Sequence, residues 1–285
     1  MKIIKSSKQL DQMLARQRAL GKSVGFVPTM GALHKGHLSL IRASKRENDL
    51  TVVSIFVNPT QFGPKEDYKK YPRVFNKDKK LLKQSRVSIL FYPSVSEMYP
   101  KKEKLGLCPY RNGMKWPALT KRLCGKFRPG HFQGVVTIVT KLLDIVKPNQ
   151  LYLGAKDYQQ AVVLKQLVRD LRMKTQVRIV ATVREKDGLA MSSRNRYLSS
   201  KDRVRARMIS HILFALRADL KARKLSISAL KSKTCRNLGQ IVDKVQYLEI
   251  VDAETLAPLK RYQRKMAAVT ACFVGKTRLI DNVII

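Results

Sequence analysis

The segment VPTMGALHKGHLSLI, Val27–Ile41, sets His34 and His37 three residues apart with Gly36 between them, in a chain with four histidines in all. Positions three apart share a face of a helix, so the two imidazoles can converge on one group. Each can donate a hydrogen bond to oxygens whose negative charge grows in a transition state. Gly36 removes a side chain where a ligand would need close approach. A strand-to-helix turn of this kind also exposes unpaired amides and the positive end of a helix dipole, which together favour a phosphate. The plainer reading is that one histidine caps the helix while the other packs against a sheet.

Three further stretches carry chemistry. Lys156 of GAKD follows a strand-like run and opens a helical one, where its ammonium could reach phosphates as a point charge. Gln61 of NPTQF and Gln160 of KDYQQ are amides, able to donate to a carboxylate and accept from a hydroxyl; Asn58 lies on the same loop as Gln61. MSSRN, residues 191–195, combines Ser192, Ser193 and Arg194, two hydroxyls and a two-pronged anion donor, although such a stretch serves equally as a helix cap.

The elements that must position these groups alternate over the first two thirds of the chain. Val- and Ile-rich strands are predicted over 22–30, 50–58, 87–94, 149–154 and 175–183, with helices over 37–49, 75–86, 134–148 and 157–172. That order argues for an α/β fold, a parallel sheet covered on both faces. Beyond 186 the pattern becomes α+β: helices over 202–224 and 226–244, then strands over 245–256, 265–275 and 277–285. The reading is therefore a larger N-terminal domain, 1–185, and a smaller C-terminal domain, 186–285. The run 99–130 reads as a loop, long enough to be functional or mobile.

Composition narrows the class. An apolar fraction of 44% is that of a folded protein, no stretch approaches a membrane span, and MKIIKSSKQL lacks the pattern of a signal peptide. Cys108, Cys124, Cys235 and Cys272 are scattered, which fits reduced thiols in a cytosolic protein better than a zinc site. The 58 Lys and Arg residues against 20 Asp and Glu give a net charge of +38, a field that attracts anionic metabolites and polyanions alike. The basic residues are spread along the whole chain and no nucleic-acid recognition signature is present, so no specific nucleic-acid partner is expected.

Five blocks, VPTMGALHKGHLSLI, VVSIFVNPTQFGPKEDYKKYPR, RPGHFQGVVTIVTKLL, GAKDYQQ and REKDGLAMSSRNRYLS, closely resemble the pantoate–β-alanine ligase (pantothenate synthetase) family within the HxGH nucleotidyltransferases. A weaker resemblance continues to RLIDN, so it covers nearly the whole chain. It implies a Rossmann-like N-terminal domain, a C-terminal lid over the intermediate, and a homodimer. The implied reaction is ATP-dependent: pantoate carboxylate attacks the α-phosphate to give pantoyl adenylate and pyrophosphate, and β-alanine then displaces AMP. His37 would be the main catalytic residue, assisted by His34 and Lys156. The implied ATP site runs over Met30, Gly31, Ala32, Leu33, His34, Lys35, Gly36 and His37, then Gly154, Ala155, Lys156 and Asp157. It is completed by Val183 on the adenine side and by Met191, Ser192, Ser193 and Arg194 at the β- and γ-phosphates. Gln61 and Gln160 would grip pantoate, with Gln61 also within reach of β-alanine and Asn58 in support. Mg2+ is expected with ATP, with Asp78 and Asp157 as unassigned candidates for its ligands.

The chain departs from the family pattern at Lys35, Ala155 and Cys124, each standing where an acidic residue is usual. Loss of carboxylates at Ala155 and Cys124 would bear on how Lys156 or Arg128 is oriented. Because His34, His37, Gln61, Lys156, Gln160, Ser192 and Arg194 are all kept, the expectation is an active enzyme. Two competing readings are a related nucleotidyltransferase with another acceptor and a basic RNA-associated protein on an inert nucleotide fold. The first leaves the paired NPTQF and KDYQQ amides unexplained. The second predicts salt-sensitive RNA binding without AMP formation.

Overall fold

A computed structural model describes residues 1–64, 66–100 and 113–285. Its larger part is a six-stranded, wholly parallel sheet in the order β1-β4-β3-β2-β5-β6. The strands are β1 (Lys2–Ile4), β2 (Val24–Thr29), β3 (Leu50–Ile55), β4 (Ile89–Phe91), β5 (Gln150–Gly154) and β6 (Gln176–Val180). Helices α1 (Ser7–Ala19), α2 (Lys35–Glu47), α3 (Phe75–Gln84), α6 (His131–Val146) and α7 (Tyr158–Asp170) connect and cover them, with two four-residue helices, α4 (Val95–Met98) and α5 (Cys124–Phe127), in the connections. Val24, Phe26, Val52 and Leu151 are fully buried, as strands covered on both faces require.

The strand order reverses between β2 and β5, and open α/β sheets bind ligands at such a point. The physical opening is visible in the register. The β2–β3 ladder runs its full length from Val24↔Leu50 to Thr29↔Ile55. The β2–β5 ladder holds only Gly25↔Gln150 and Phe26↔Leu151. Pro28 has no N–H with which to extend a ladder, and the two strands part beyond Phe26. A crevice opens there, with the turn after β2 on one bank and the turn after β5 on the other.

The C-terminal part is a three-stranded antiparallel meander, β7 (Lys244–Asp252), β8 (Met266–Val274) and β9 (Thr277–Ile284), with α8 (Ser200–Ala222) and α9 (Ile227–Gly239). It has its own core, in which Leu213, Leu216 and Leu220 of α8 pack with Ile250, Cys272 and Val274. A second apolar cluster ties the two parts together: Leu123, Tyr158 and Val162 meet Val251, Leu256, Ala267 and Val269.

The α/β fold class is as expected, but several elements differ from the sequence reading. β1 and α1 lie where it places no element, because β1 has three residues and α1 buries only Leu10 and Leu14 on an otherwise polar helix. β6 ends at Val180, so Val183 lies three residues past the strand. The predicted loop 99–130 is not structureless where it is described: residues 101–112, with Cys108, lie outside the described residues, and the remainder carries a 3₁₀ turn at Trp116–Thr120 and then α5. No helix among the described residues is long and apolar enough to cross a membrane.

Candidate active site

The helix after β2 begins at Lys35, which makes His34 its N-cap and His37 its third residue. Three is the spacing of a capping box, and here two imidazoles form it. The Gly36 N–H donates to His34 Nδ1 at 3.2 Å, and the His34 N–H donates to His37 Nδ1 at 3.3 Å. An amide can only donate, so each Nδ1 carries no proton and each Nε2 carries one. Capping therefore uses Nδ1 of each ring and leaves each Nε2–H available as a donor. The first-turn amides expected to meet a phosphate are partly consumed, and the Nε2–H groups take over as donors. The rings lie 4.1 Å apart. Gly36 is small for a reason nearer than a ligand: a Cβ there would stand 2.9 Å from His34 ring atoms.

Burial first, then Lys156, pushes His34 down to about 4; burial first, then His34, pushes His37 down to about 3. Both are neutral donors at physiological pH. A third histidine, His131 at the start of α6, is also held near 4, by burial and then by Arg128. Arg128 Nη1 lies 2.9 Å from His131 Nε2 and can only donate, so His131 Nδ1 donates to the Gln61 carbonyl at 2.8 Å. All three folded values lie below the unfolded imidazole's value of about 6.5. As pH falls through that value the unfolded chain takes up protons first, so stability is whole above it and declines toward pH 4. Each group contributes a slope of up to about 1.4 kcal/mol per pH unit in that window. The urea midpoint is expected to fall steeply between about pH 6.5 and 4.5. A flat midpoint across that range would contradict neutral buried imidazoles.

On the opposite bank, β5 runs into a 3₁₀ turn, Ala155–Asp157, that leads directly into α7. Lys156 Nζ lies 3.6 Å from Asp157 Oδ1. Enclosure raises the Asp157 carboxyl, but Lys156 and Arg194 outweigh it and hold it below the usual carboxylate range. The turn is clamped from β9: Asn282 Nδ2 donates to the carbonyls of Ala155 and Lys156, both at 2.9 Å. Beside it, Asp281 grips Arg184 through two bonds of 2.7 and 3.0 Å. The lysine is thus aimed by a residue 126 positions away.

The glutamine loop is built from inside. Asn58 is 1% exposed; its Nδ2 donates to Gln61 Oε1 and to the Gly134 carbonyl, both at 3.1 Å, and its Oδ1 accepts from Tyr99 Oη at 2.8 Å. Asn58 thereby fixes which way the Gln61 amide faces, leaving Gln61 Nε2 3.1 Å from Met30 Sδ. Gly134 allows this loop to sit on α6, since a Cβ there would come within 2.3 Å of the Thr60 carbonyl oxygen. Gln160 reaches the same cleft from α7.

Two arginines close the far end, each held by a carboxylate from one short segment. Glu66 takes Arg128 through two bonds of 2.7 and 2.6 Å, and Asp67 takes Arg194 through two of 3.2 and 2.8 Å. Ser192 caps the 3₁₀ turn Ser193–Tyr197 by accepting the Arg194 N–H, so the capping reading of this stretch holds for one of its serines. Together the two banks, the glutamine loop and this end enclose a cleft of about 240 Å³. Phe56, Val135, Ile138, Val139 and Leu142 form its apolar wall.

The family model described as pantoate-beta-alanine ligase matches residues 2–284. The chain belongs to the pantoate–β-alanine ligase family. The pantothenate synthetase of Thermotoga petrophila is 46% identical over 286 residues, all of both chains. That of Pseudothermotoga lettingae is 47% identical, with 98% of each covered. Among solved structures, pantothenate synthetase from Thermus thermophilus matches with a TM-score of 0.91 at 41% identity over 99% of each chain. The pantoate-beta-alanine ligase of Francisella tularensis, solved with beta-gamma ATP and beta-alanine, matches with a TM-score of 0.80 at 39% identity, covering 100% of this chain and 97% of that one.

Of the positions the family resemblance implies, the cleft gathers Met30, His34, Gly36, His37, Asn58, Gln61, Gly154, Lys156, Asp157, Gln160, Val183, Met191, Ser192, Ser193 and Arg194. It does not gather Gly31, Ala32, Leu33, Lys35 or Ala155. Ala32, Leu33 and Ala155 are buried in the turns that carry their neighbours, Lys35 points to solvent, and Gly31 faces a separate groove. Val183 is half-buried rather than a core strand residue, and its carbonyl accepts the Met191 N–H at 3.0 Å. His131, Glu66, Asp67 and Asn282 lie outside the short motifs that mark the site in the sequence, as does Tyr71 on the cleft wall. For His131 a signal is present, a third histidine of four in a turn opening a helix.

Asp78 is not available to a metal. It is 1% exposed, and its two oxygens accept the N–H groups of Ala32 and Leu33 at 2.8 Å, holding the turn that carries His34. Among the described residues no three His, Cys, Asp or Glu side chains gather as a metal site, and Asp157 is the one carboxylate on the cleft wall. That donor set fits Mg2+ only as a companion of the nucleotide phosphates, with Asp157 as a single protein ligand. Arg128 is paired through Glu66, and Cys124 is buried against Tyr247.

Proposed function

We propose that this chain condenses pantoate with β-alanine at the expense of ATP, through a pantoyl adenylate. The observation that carries the reading is the convergence of two neutral imidazoles, an ammonium and an oriented glutamine at one sheet switch point. In the first step a pantoate carboxylate oxygen attacks the α-phosphorus and pyrophosphate leaves. His37 Nε2–H, with His34 and Lys156, meets the charge that builds on the phosphoryl oxygens. Mg2+ would arrive with ATP beside Asp157 and supply phosphate neutralisation. Gln61 and Gln160 face the pantoate hydroxyls and carboxylate, while the wall of Val135, Ile138 and Val139 suits its methyl groups. In the second step the β-alanine amine attacks the acyl carbon and AMP leaves.

Residues 1–185 then act as the ATP- and pantoate-binding domain and 186–285 as its lid, a reading supported by the Asn282 clamp on the Lys156 turn. The family resemblance supports a homodimer, and scattered free thiols at Cys124, Cys235 and Cys272 support a reducing cytoplasm. The test is direct: ATP, pantoate and β-alanine are supplied together, and AMP and pantothenate are measured. AMP must appear only when pantoate and β-alanine are both present. Pyrophosphate–ATP exchange that needs no pantoate would overturn the reading.

A further inference from the structure

Beside the cleft, between the Lys156 turn, the stretch that carries Ser192 and Arg194, and β9, lies a small chamber of about 60 Å³. Arg128, Lys156, Asp157, Ser192 and Arg194 line both spaces, so the chamber adjoins the cleft at the residues offered to the phosphates. Its far wall adds a fourth cation, Arg278 of β9. Side chains two apart on a strand share a face, so Arg278, Ile280 and Asn282 all look toward the N-terminal part, and Asn282 is the residue clamped to the Lys156 turn.

The four cations differ in their partners. Arg128 has Glu66, Lys156 has Asp157, and Arg194 has Asp67. Arg278 has neutral partners, Gln246 Oε1 at 2.9 Å, Cys124 Sγ at 3.4 Å and the Tyr247 hydroxyl. Among the described residues no carboxylate pairs with it, and Asp281 on the same wall is taken by Arg184. The guanidinium is therefore oriented by neutral groups that leave its charge uncompensated. A half-buried arginine with no carboxylate of its own gains when an anion enters the chamber it lines.

We propose that Arg278 binds the pyrophosphate end of the nucleotide, as a fourth cation supplied by the C-terminal part, and retains pyrophosphate after adenylate formation. This rests on the ligase reading above, which fails separately if the wild-type enzyme forms no pantothenate. The test is calorimetric titration of wild type, Arg278→Met and Arg278→Lys with inorganic pyrophosphate and with AMP, together with the KM for ATP. Arg278→Met is expected to weaken pyrophosphate and raise the KM for ATP about tenfold each, the effect of one hydrogen bond to a charged group, while AMP affinity stays within about twofold. Arg278→Lys should fall between. Unchanged pyrophosphate affinity overturns the proposal, and so does equal weakening of AMP, which would mark a merely structural arginine. Should Arg278→Met not fold, Cys124→Glu approaches from the other side. A carboxylate beside Arg278 should weaken pyrophosphate and not AMP, and unaltered pyrophosphate binding would again overturn the assignment.

Discussion

Replacing His37 by alanine is expected to lower kcat for AMP formation about 10²–10³-fold, the usual cost of removing one donor aimed at developing charge. The donor here is Nε2–H of a neutral ring, because Nδ1 is occupied by the His34 amide. Two consequences separate this role from that of an imidazolium. First, kcat should not decline as pH rises through about 6.5, since the ring is already neutral, with its pKa held near 3. Second, His37→Gln should keep more activity than His37→Ala. A glutamine at the third helical position can reach back to the N-cap amide as a capping box does, so it preserves the turn. It loses the Nε2 donor but spares the cap, and the difference between the two variants measures the cap. Steady-state assays with both variants from about pH 6 to 9 decide the matter. A wild-type kcat that falls as pH rises through about 6.5, with the variants' deficit confined to the low-pH arm, would mean a charged ring.

What the sequence made legible was local. Three-residue spacing put His34 and His37 on one turn, and alternating Val-rich strands and helices placed that turn at the carboxyl edge of a parallel sheet. Lys156 at the end of a later such strand, 149–154, followed from the same alternation. The groups that aim these residues were not legible, because each acts across a long stretch of chain. Asn282 reaches the Lys156 carbonyl over 126 positions, and Asp67 reaches Arg194 over 127. Nothing in GPKEDYK marks Glu66 and Asp67 as partners of arginines rather than as a solvated turn. Asp78 is the reverse case. Its place near the motif suggests a metal ligand, but a buried carboxylate beside two free amides is worth more as the anchor of the turn. Val183 falls in a predicted strand because VRIVATV is uniformly β-prone, yet the ladder with β5 stops at Val180.

Replacing Lys156 by methionine is expected to lower kcat/KM for ATP about a thousandfold, more than removal of one cation alone would do. The fold of the turn should survive, because Asn282 holds the backbone carbonyls of Ala155 and Lys156 and not the side chain. The chemistry of the turn would not. With the ammonium gone, Asp157 loses the partner that does most to keep it ionised, and a carboxylate is left facing a triphosphate on the cleft wall. At close range in a partly desolvated site that repulsion is of the same order as the lost attraction. The double variant Lys156→Met, Asp157→Asn should therefore recover about tenfold over the single one, although it removes a second polar group. If Asp157 instead serves mainly as the protein ligand of Mg2+, the double variant should be worse than either single change, most visibly at low Mg2+. A thermodynamic cycle of the four proteins, run at low and saturating Mg2+, reads the sign of the coupling. Lys156→Arg is not a neutral control, since a planar fork cannot act as the compact point charge that the 3₁₀ turn presents.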